Sequence, residues 1–265
     1  MLDWQSLQKK YPQKCQNLEI SFQHIRRGDR IFVASACGAP QELTKRLVEY
    51  IRSNQGSFMN HELLHVWTLG LDAFGDDRLQ KNFRINSFFI DYKIRNLVNE
   101  GSGDYSPIFL SKIPSLFQQG YFPIDVALIQ LSPPDNHGYM SLGISVDITR
   151  AAARAARLVI GQINPQMPRV HGDSFLHIDE VDYLFWYEEP LAEFQSYFEK
   201  KEEEEVSQKI GHYVSQLIRD GDTLQIGYGL LPNSILRHLE EKKDLGIHTE
   251  LLTPGIVRLL KKGVI

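Results

Sequence analysis

Ile25-Arg-Arg-Gly-Asp-Arg-Ile-Phe-Val33 returns later in the chain as Ile218-Arg-Asp-Gly-Asp-Thr-Leu-Gln-Ile226. Both copies read as a helix end, a Gly-Asp turn and a buried strand. The loop that follows differs in length by one residue. Beyond it Pro40, Leu43 and Leu47 fall against Pro232, Ile235 and Leu239. Strand, glycine-containing loop and helix in that order open an α/β unit. Two such openings in one chain imply two units of similar fold.

Working outward from the first copy, residues 3–28 read as mostly helical up to the turn at Arg27-Gly28-Asp29. Arg30–Ala34 is a short strand, and Cys37-Gly-Ala-Pro40 breaks it. The spacing of Leu43, Leu47, Val48 and Ile51 predicts a helix over Gln41–Arg52 with one buried stripe. Asp125-Val-Ala-Leu-Ile-Gln-Leu131 is apolar almost throughout, the pattern of a strand covered on both faces. Ser132–Gly138 must be a loop, because two prolines and a glycine cannot continue a ladder. Asp147–Arg157 reads as an Ala-rich helix and Leu158–Ile163 as another strand. A break at Glu188-Glu-Pro190 precedes a charged helix through Lys200–Glu205, whose charge run reads as a solvated face. These signals put a domain boundary near residues 188–205.

The chain has 265 residues, is 42% hydrophobic and carries a net charge of −4. Such a balance offers no general attraction to nucleic acid or to anionic membranes. An anionic ligand would have to be held by local features. Cys15 and Cys37 do not make a disulfide framework. The polar opening Met1–Gln16 lacks the apolar core of a signal peptide, and no run is long enough to span a bilayer. The expectation is a cytoplasmic protein.

Three patterns bear on chemistry. Thr223–Ile235 runs a strand into Gly227-x-Gly229, with a helix expected near Asn233. Glycines there let a backbone approach a ligand, and free N–H groups at a helix start favour an anion. The same glycines would also serve a plain strand-to-helix turn. A dinucleotide fingerprint would need a third glycine where Pro232 stands, although Glu250 lies near the position of its ribose-binding acid. No Gly-Lys-Ser/Thr follows to make a phosphate-binding P-loop.

His61-Glu-Leu-Leu-His65 matches a zinc-protease motif in letters, but its β-rich surroundings read as a strand. There the two histidines would lie roughly 13 Å apart, too far to share a metal. Gly246-Ile-His-Thr-Glu250 reads as a short strand ending in a glutamate, before a turn and a helix over Ile256–Lys262. A carboxylate at the C-terminal end of an α/β strand faces the usual ligand crevice. Among other polar residues, Cys37 could line a pocket or fill space. Asp135 and His137 could meet a substrate or form a turn, and Arg169 could pair with an anion or lie on the surface.

Taken together, several stretches resemble the acetyl-CoA hydrolase/transferase family, close to its 4-hydroxybutyrate CoA-transferases. They are Asp125–Tyr139 with Ser141–Asp147, Met167–Asp173, Gly227–Asn233 and Gly246–Glu250. Weaker likeness covers Cys37–Pro40 and Glu100–Tyr105. The resemblance implies two open α/β domains of the CoA-transferase type, residues 1–190 and 191–265, the second incomplete, with the active site between them. It implies acyl-CoA:carboxylate CoA-transfer of the acetate/4-hydroxybutyrate type, by a ping-pong route through a thioester on Glu250. Gly227, Tyr228, Gly229, Leu230 and Leu231 would contact CoA. The alternatives are acetyl-CoA hydrolysis or a non-catalytic CoA-binding or assembly module. The substrates would be coenzyme A thioesters and a small carboxylate, with no metal, no NAD, no nucleic acid and no membrane, in a homo-oligomer. Two departures stand out: the family usually has glycine where Leu230 stands, and Ser-Asp-Gly where this chain has Thr253-Pro-Gly255. Family members also continue well beyond this point, so the chain matches roughly their first three-fifths.

Overall fold

The computed structural model describes residues 1–265 except 55, 57, 71–73, 75–78, 80 and 195–200; for 92, 93 and 201–203 it describes the backbone alone. The chain divides into two compact units, Met1–Glu193 and Phe194–Ile265.

The first unit holds β1 (Arg30–Val33), β2 (His61–His65), β3 (Phe83–Ser87), β4 (Gly103–Tyr105), β5 (Val126–Leu131), β6 (Tyr139–Ser141), β7 (Leu158–Ile163), β8 (Phe175–His177) and β9 (Tyr183–Trp186). Its helices are α1 (Trp4–Lys10), α2 (Leu18–Phe22), α3 (Gln41–Ser53), α4 (Tyr92–Asn99), α5 (Ile113–Gln118) and α6 (Thr149–Ala155). Seven strands make one parallel sheet in the order β4-β3-β2-β1-β5-β7-β9. The order reverses between β1 and β5, so the loops after these strands flank the switch point where α/β sheets bind ligands. β6 and β8 form a separate antiparallel pair.

The central strands are apolar without alternation because both faces are covered. In β5, Ala127, Ile129 and Leu131 join one core, while Val126 and Leu128 join the other. α3 seals the second face with Leu43, Leu47, Val48 and Ile51, each 2% exposed or less. Each such burial contributes about 1.5–3 kcal/mol. α5 and α6 seal the first face through Ile113, Phe117, Ala152 and Ala153.

Two helical expectations were too long. Residues 3–28 form α1 and α2 with a break between them, because Pro12 pushes Tyr11 out of the helical region, to φ −133° and ψ 54°. α6 begins at Thr149, since Asp147 takes φ 27° and its carboxylate receives the Thr149 N–H at 3.0 Å. At the other end Ala156 is already extended.

The second unit holds α7 (Lys201–Ser215), β10 (Thr223–Leu224), α8 (Leu230–Arg237), β11 (Gly246–Ile247) and α9 (Pro254–Lys261). Lys200, the first residue of the charged run, lies outside the described residues. Within the run, Glu204 pairs with Arg237 at 3.2 Å and Glu205 is exposed. β10 and β11 pair in parallel, and Leu236, Leu239, Leu245, Ile256, Leu259 and Val264 make the core. α7 crosses α8 closely at Gly211, where a Cβ would lie 2.9 Å from the Ser234 carbonyl carbon.

The repeat is physical. Gly28 and Gly221 take φ of 80° and 81°, which glycine adopts without strain. Asp29 Oδ2 accepts the Arg26 N–H at 2.7 Å, and Asp222 Oδ2 accepts that of Arg219 at 2.8 Å. Arg30 registers with Glu62 across β1 and β2, as Thr223 registers with Gly246 across β10 and β11. Past the strands the correspondence slips. α3 begins directly after Pro40, whereas Pro232 sits inside the first turn of α8. Proline is tolerated there because first-turn N–H groups have no helical partner. α8 therefore starts at Leu230, before the expected Asn233.

Candidate active site

The glycine loop leaves β10 after Leu224 and enters α8 at Leu230. Gly229 is the residue before the first turn and takes φ 128°, which L side chains rarely adopt. As a glycine it has no side chain with which to cap the helix. Pro232 has no N–H, so the donors at this helix start come from Leu230 and Leu231. A helix start with uncapped N–H groups and the positive end of the dipole favours an anion. Gly227 and Tyr228 are exposed, and the Tyr228 ring lies 5.7 Å from that of Phe194. Leu230 is half-buried.

β11 ends at Ile247, three residues before Glu250, so the glutamate does not terminate the strand as expected. The chain stays fastened to β10 nonetheless. His248 N–H donates to the Leu224 carbonyl at 3.0 Å. The Thr249 hydroxyl then accepts the Ile226 N–H at 3.0 Å and donates to the Ile226 carbonyl at 2.8 Å. Thr249 precedes Glu250 and Ile226 precedes Gly227, so one side chain brings the glutamate segment to the base of the glycine loop. Glu250 is exposed. After it, α9 starts at Pro254 and packs on α8 at Gly255, where a Cβ would meet Leu236 Cδ1 at 2.7 Å. Neither hydropathy nor spacing marks Thr249; its role appears only when β10 and β11 are paired.

The corresponding place in the first unit is filled differently. Four residues beyond Glu62 is Val66, which packs against the core, and four beyond Gly246 is Glu250. The start of α3 is capped from within. Glu189 Oε1 accepts the Glu42 N–H at 3.3 Å, and Gln162 Oε1 accepts the Leu43 N–H at 2.9 Å. Gln162 donates to the same Glu189 oxygen at 2.6 Å. Gln130 holds the Ala39 carbonyl at 3.0 Å and accepts from Asn164 at 2.8 Å. These polar side chains were not singled out by the sequence pattern.

Asp135 and Arg169 form an ion pair at 3.0 Å, and Asp135 also accepts the N–H groups of His137 and Tyr139, each at 2.9 Å. This is a braced turn. Burial opposes ionisation of Asp135, but those N–H groups and the Arg169 charge outweigh it and hold its carboxyl below the usual range. Cys37 is half-buried in the loop after β1. The His61–His65 motif lies on β2, a strand as expected, with both rings buried. Burial pushes the His65 imidazole down to about 3. Among the described residues, no three His, Cys, Asp or Glu side chains group as metal ligands, and no helix is long and apolar enough to cross a membrane.

The family model of the acetyl-CoA hydrolase/transferase N-terminal domain matches residues 1–194. A 4-hydroxybutyrate coenzyme A transferase of Clostridium kluyveri is 38% identical over 264 residues, covering 100% of this chain and 59% of that protein. A succinyl-CoA:acetate/propanoyl-CoA:succinate CoA transferase of Fasciola hepatica is 36% identical, covering 97% and 52%. The crystal structure of RipA from Yersinia pestis superposes with a TM-score of 0.86 at 31% identity, covering 100% of this chain and 61% of that one. The chain thus spans about three-fifths or less of the length of these relatives.

Proposed function

The chain belongs to the acetyl-CoA hydrolase/transferase family, and on that premise we propose that it carries the nucleophile and a CoA-binding loop of an acyl-CoA:carboxylate CoA-transferase. A Glu250 carboxylate oxygen attacks the thioester carbonyl of an acyl-CoA. The C–S bond breaks, the thiolate leaves with the electron pair, and a mixed anhydride forms. The thiolate then attacks the Glu250 side-chain carbonyl and expels the acyl carboxylate, leaving CoA as a thioester on Glu250. An acceptor carboxylate, acetate or 4-hydroxybutyrate in class, runs the steps in reverse; water in its place gives hydrolysis. A covalent carboxylate intermediate splits one hard transfer into two easier ones.

Gly227–Leu231 receive CoA, and the N–H groups of Leu230 and Leu231 offer donors to a phosphate or a developing oxyanion. The observation that supports this reading most is an exposed carboxylate, Glu250, one residue beyond the point where its segment is fastened to the glycine loop.

Peptide mass spectrometry after incubation with acetyl-CoA tests it. A hydroxylamine-sensitive CoA adduct on Glu250 is the expected result, absent in Glu250→Ala. Acyl-CoA binding without any adduct would instead support a non-catalytic CoA-binding module. Leu230, half-buried where the family usually has glycine, is the feature that favours that second reading.

A further inference from the structure

We propose that Thr249 is the positioning residue of this site, its hydroxyl setting where Glu250 stands relative to the glycine loop. This rests on Glu250 being the nucleophile. β10 and β11 are two residues long, and their ladder ends at the bond from His248 to Leu224. Beyond that bond nothing in the ladder fixes the path of either chain. The Thr249 hydroxyl replaces the missing rung, using its donor and its acceptor on both backbone groups of Ile226, at 2.8 and 3.0 Å. Ile226 is the last buried residue before the loop, 7% exposed, and Gly227, Tyr228 and Glu250 are all exposed. The clamp therefore stands at the boundary between packed core and ligand-facing chain. A side chain that bonds both groups must be donor and acceptor at once, as the Thr249 hydroxyl is. Valine has nearly the same shape and neither function.

The geometry assigns Thr249 no contact with the reacting atoms. Its effect belongs in the rate of covalent transfer and not in CoA affinity. Misplacing a reacting group by about 1 Å costs on the order of 100-fold in rate. The test compares the chain with Thr249→Val and Thr249→Ser in three readouts: amide hydrogen exchange at Ile226, the Kd for acetyl-CoA, and the rate of CoA adduct formation on Glu250. In Thr249→Val, the Ile226 amide should exchange about 10-fold faster for loss of its acceptor. Adduct formation should slow by about 10- to 100-fold, with Kd within about 3-fold of the parent (less than 1 kcal/mol). Thr249→Ser should restore both.

Unchanged Ile226 exchange in Thr249→Val overturns the clamp whatever Glu250 does. Parent-like adduct formation in Thr249→Val, or failure of Thr249→Ser to restore it, overturns the positioning role. If the parent itself forms no adduct while Ile226 exchange responds as expected, the Glu250 assignment fails, and with it the catalytic purpose of a clamp that still exists.

Discussion

The two copies of the repeat share a frame and differ in what fills it. Each has a left-handed glycine, an aspartate bracing the turn, and a parallel pair of strands in the same register. In the first copy the helix start is capped by Glu189 and Gln162 from neighbouring strand ends, and Val66 occupies the place after β2. In the second, the helix follows Gly229, which has no side chain to cap it, and the corresponding place holds Glu250. Both helix starts favour negative charge, and in the first copy Glu189 of the same chain supplies it.

The largest effect that would break this contrast is on covalent chemistry. Glu250→Ala should lower adduct formation and transfer by at least about 10³-fold, as loss of a nucleophile does. Val66→Glu, which places the same group in the first copy, should create no second adduct on peptide mass mapping. A modified Val66→Glu peptide would show that the frame alone makes the site.

Acid should act next, through the first unit. His65 is fully buried with both ring nitrogens unpartnered among the described residues, and burial also lowers His61. Their folded values lie below the unfolded one of about 6.5, so the unfolded chain binds more protons as pH falls. Stability contributed by neutral His65 is present above about pH 6.5 and is lost progressively down to about 3. Between pH 6.5 and 5 the loss is about 2 kcal/mol from His65 alone. Urea unfolding followed by Trp4, Trp67 and Trp186, all in the first unit, should show it. His65→Leu should flatten the slope.

A smaller effect tests the equivalence of the two turns. Gly28→Ala and Gly221→Ala each place a Cβ in open space but at positive φ. The penalty is conformational, about 1–2 kcal/mol in either unit. Widely unequal losses of stability would mean that the two turns are not the same device.

The smallest concerns the internal cap. Glu189→Gln keeps an acceptor for Glu42 but removes a charge from the start of α3. It should cost about 0.3–1 kcal/mol, less at high salt.

Much of the fold was readable in advance for a simple reason. Apart from Gln130 and Gln162, β5 and β7 carry no polar side chain, because a parallel strand covered by helices has no wet face. The stripe of α3 was equally plain. The break between α1 and α2 was missed although Pro12 announces it. The start of α6 depended on Asp147 turning its carboxylate onto the next residues. The zinc-like His61–His65 letters were correctly read as a strand, because β propensity around them outweighed the motif.

The sequence by itself determined the α/β class, the repeat, the glycine loop and the glutamate worth testing. Those signals are local: a residue's own conformational freedom, or the period of its apolar neighbours. Only the tertiary structure decided that Thr249 replaces a rung of the ladder, that Glu189 caps α3 from 147 residues away, and that Glu250 lies beyond its strand. Such facts come from pairings between distant segments. A hydroxyl or carboxylate carries no mark in the sequence of the backbone it will meet.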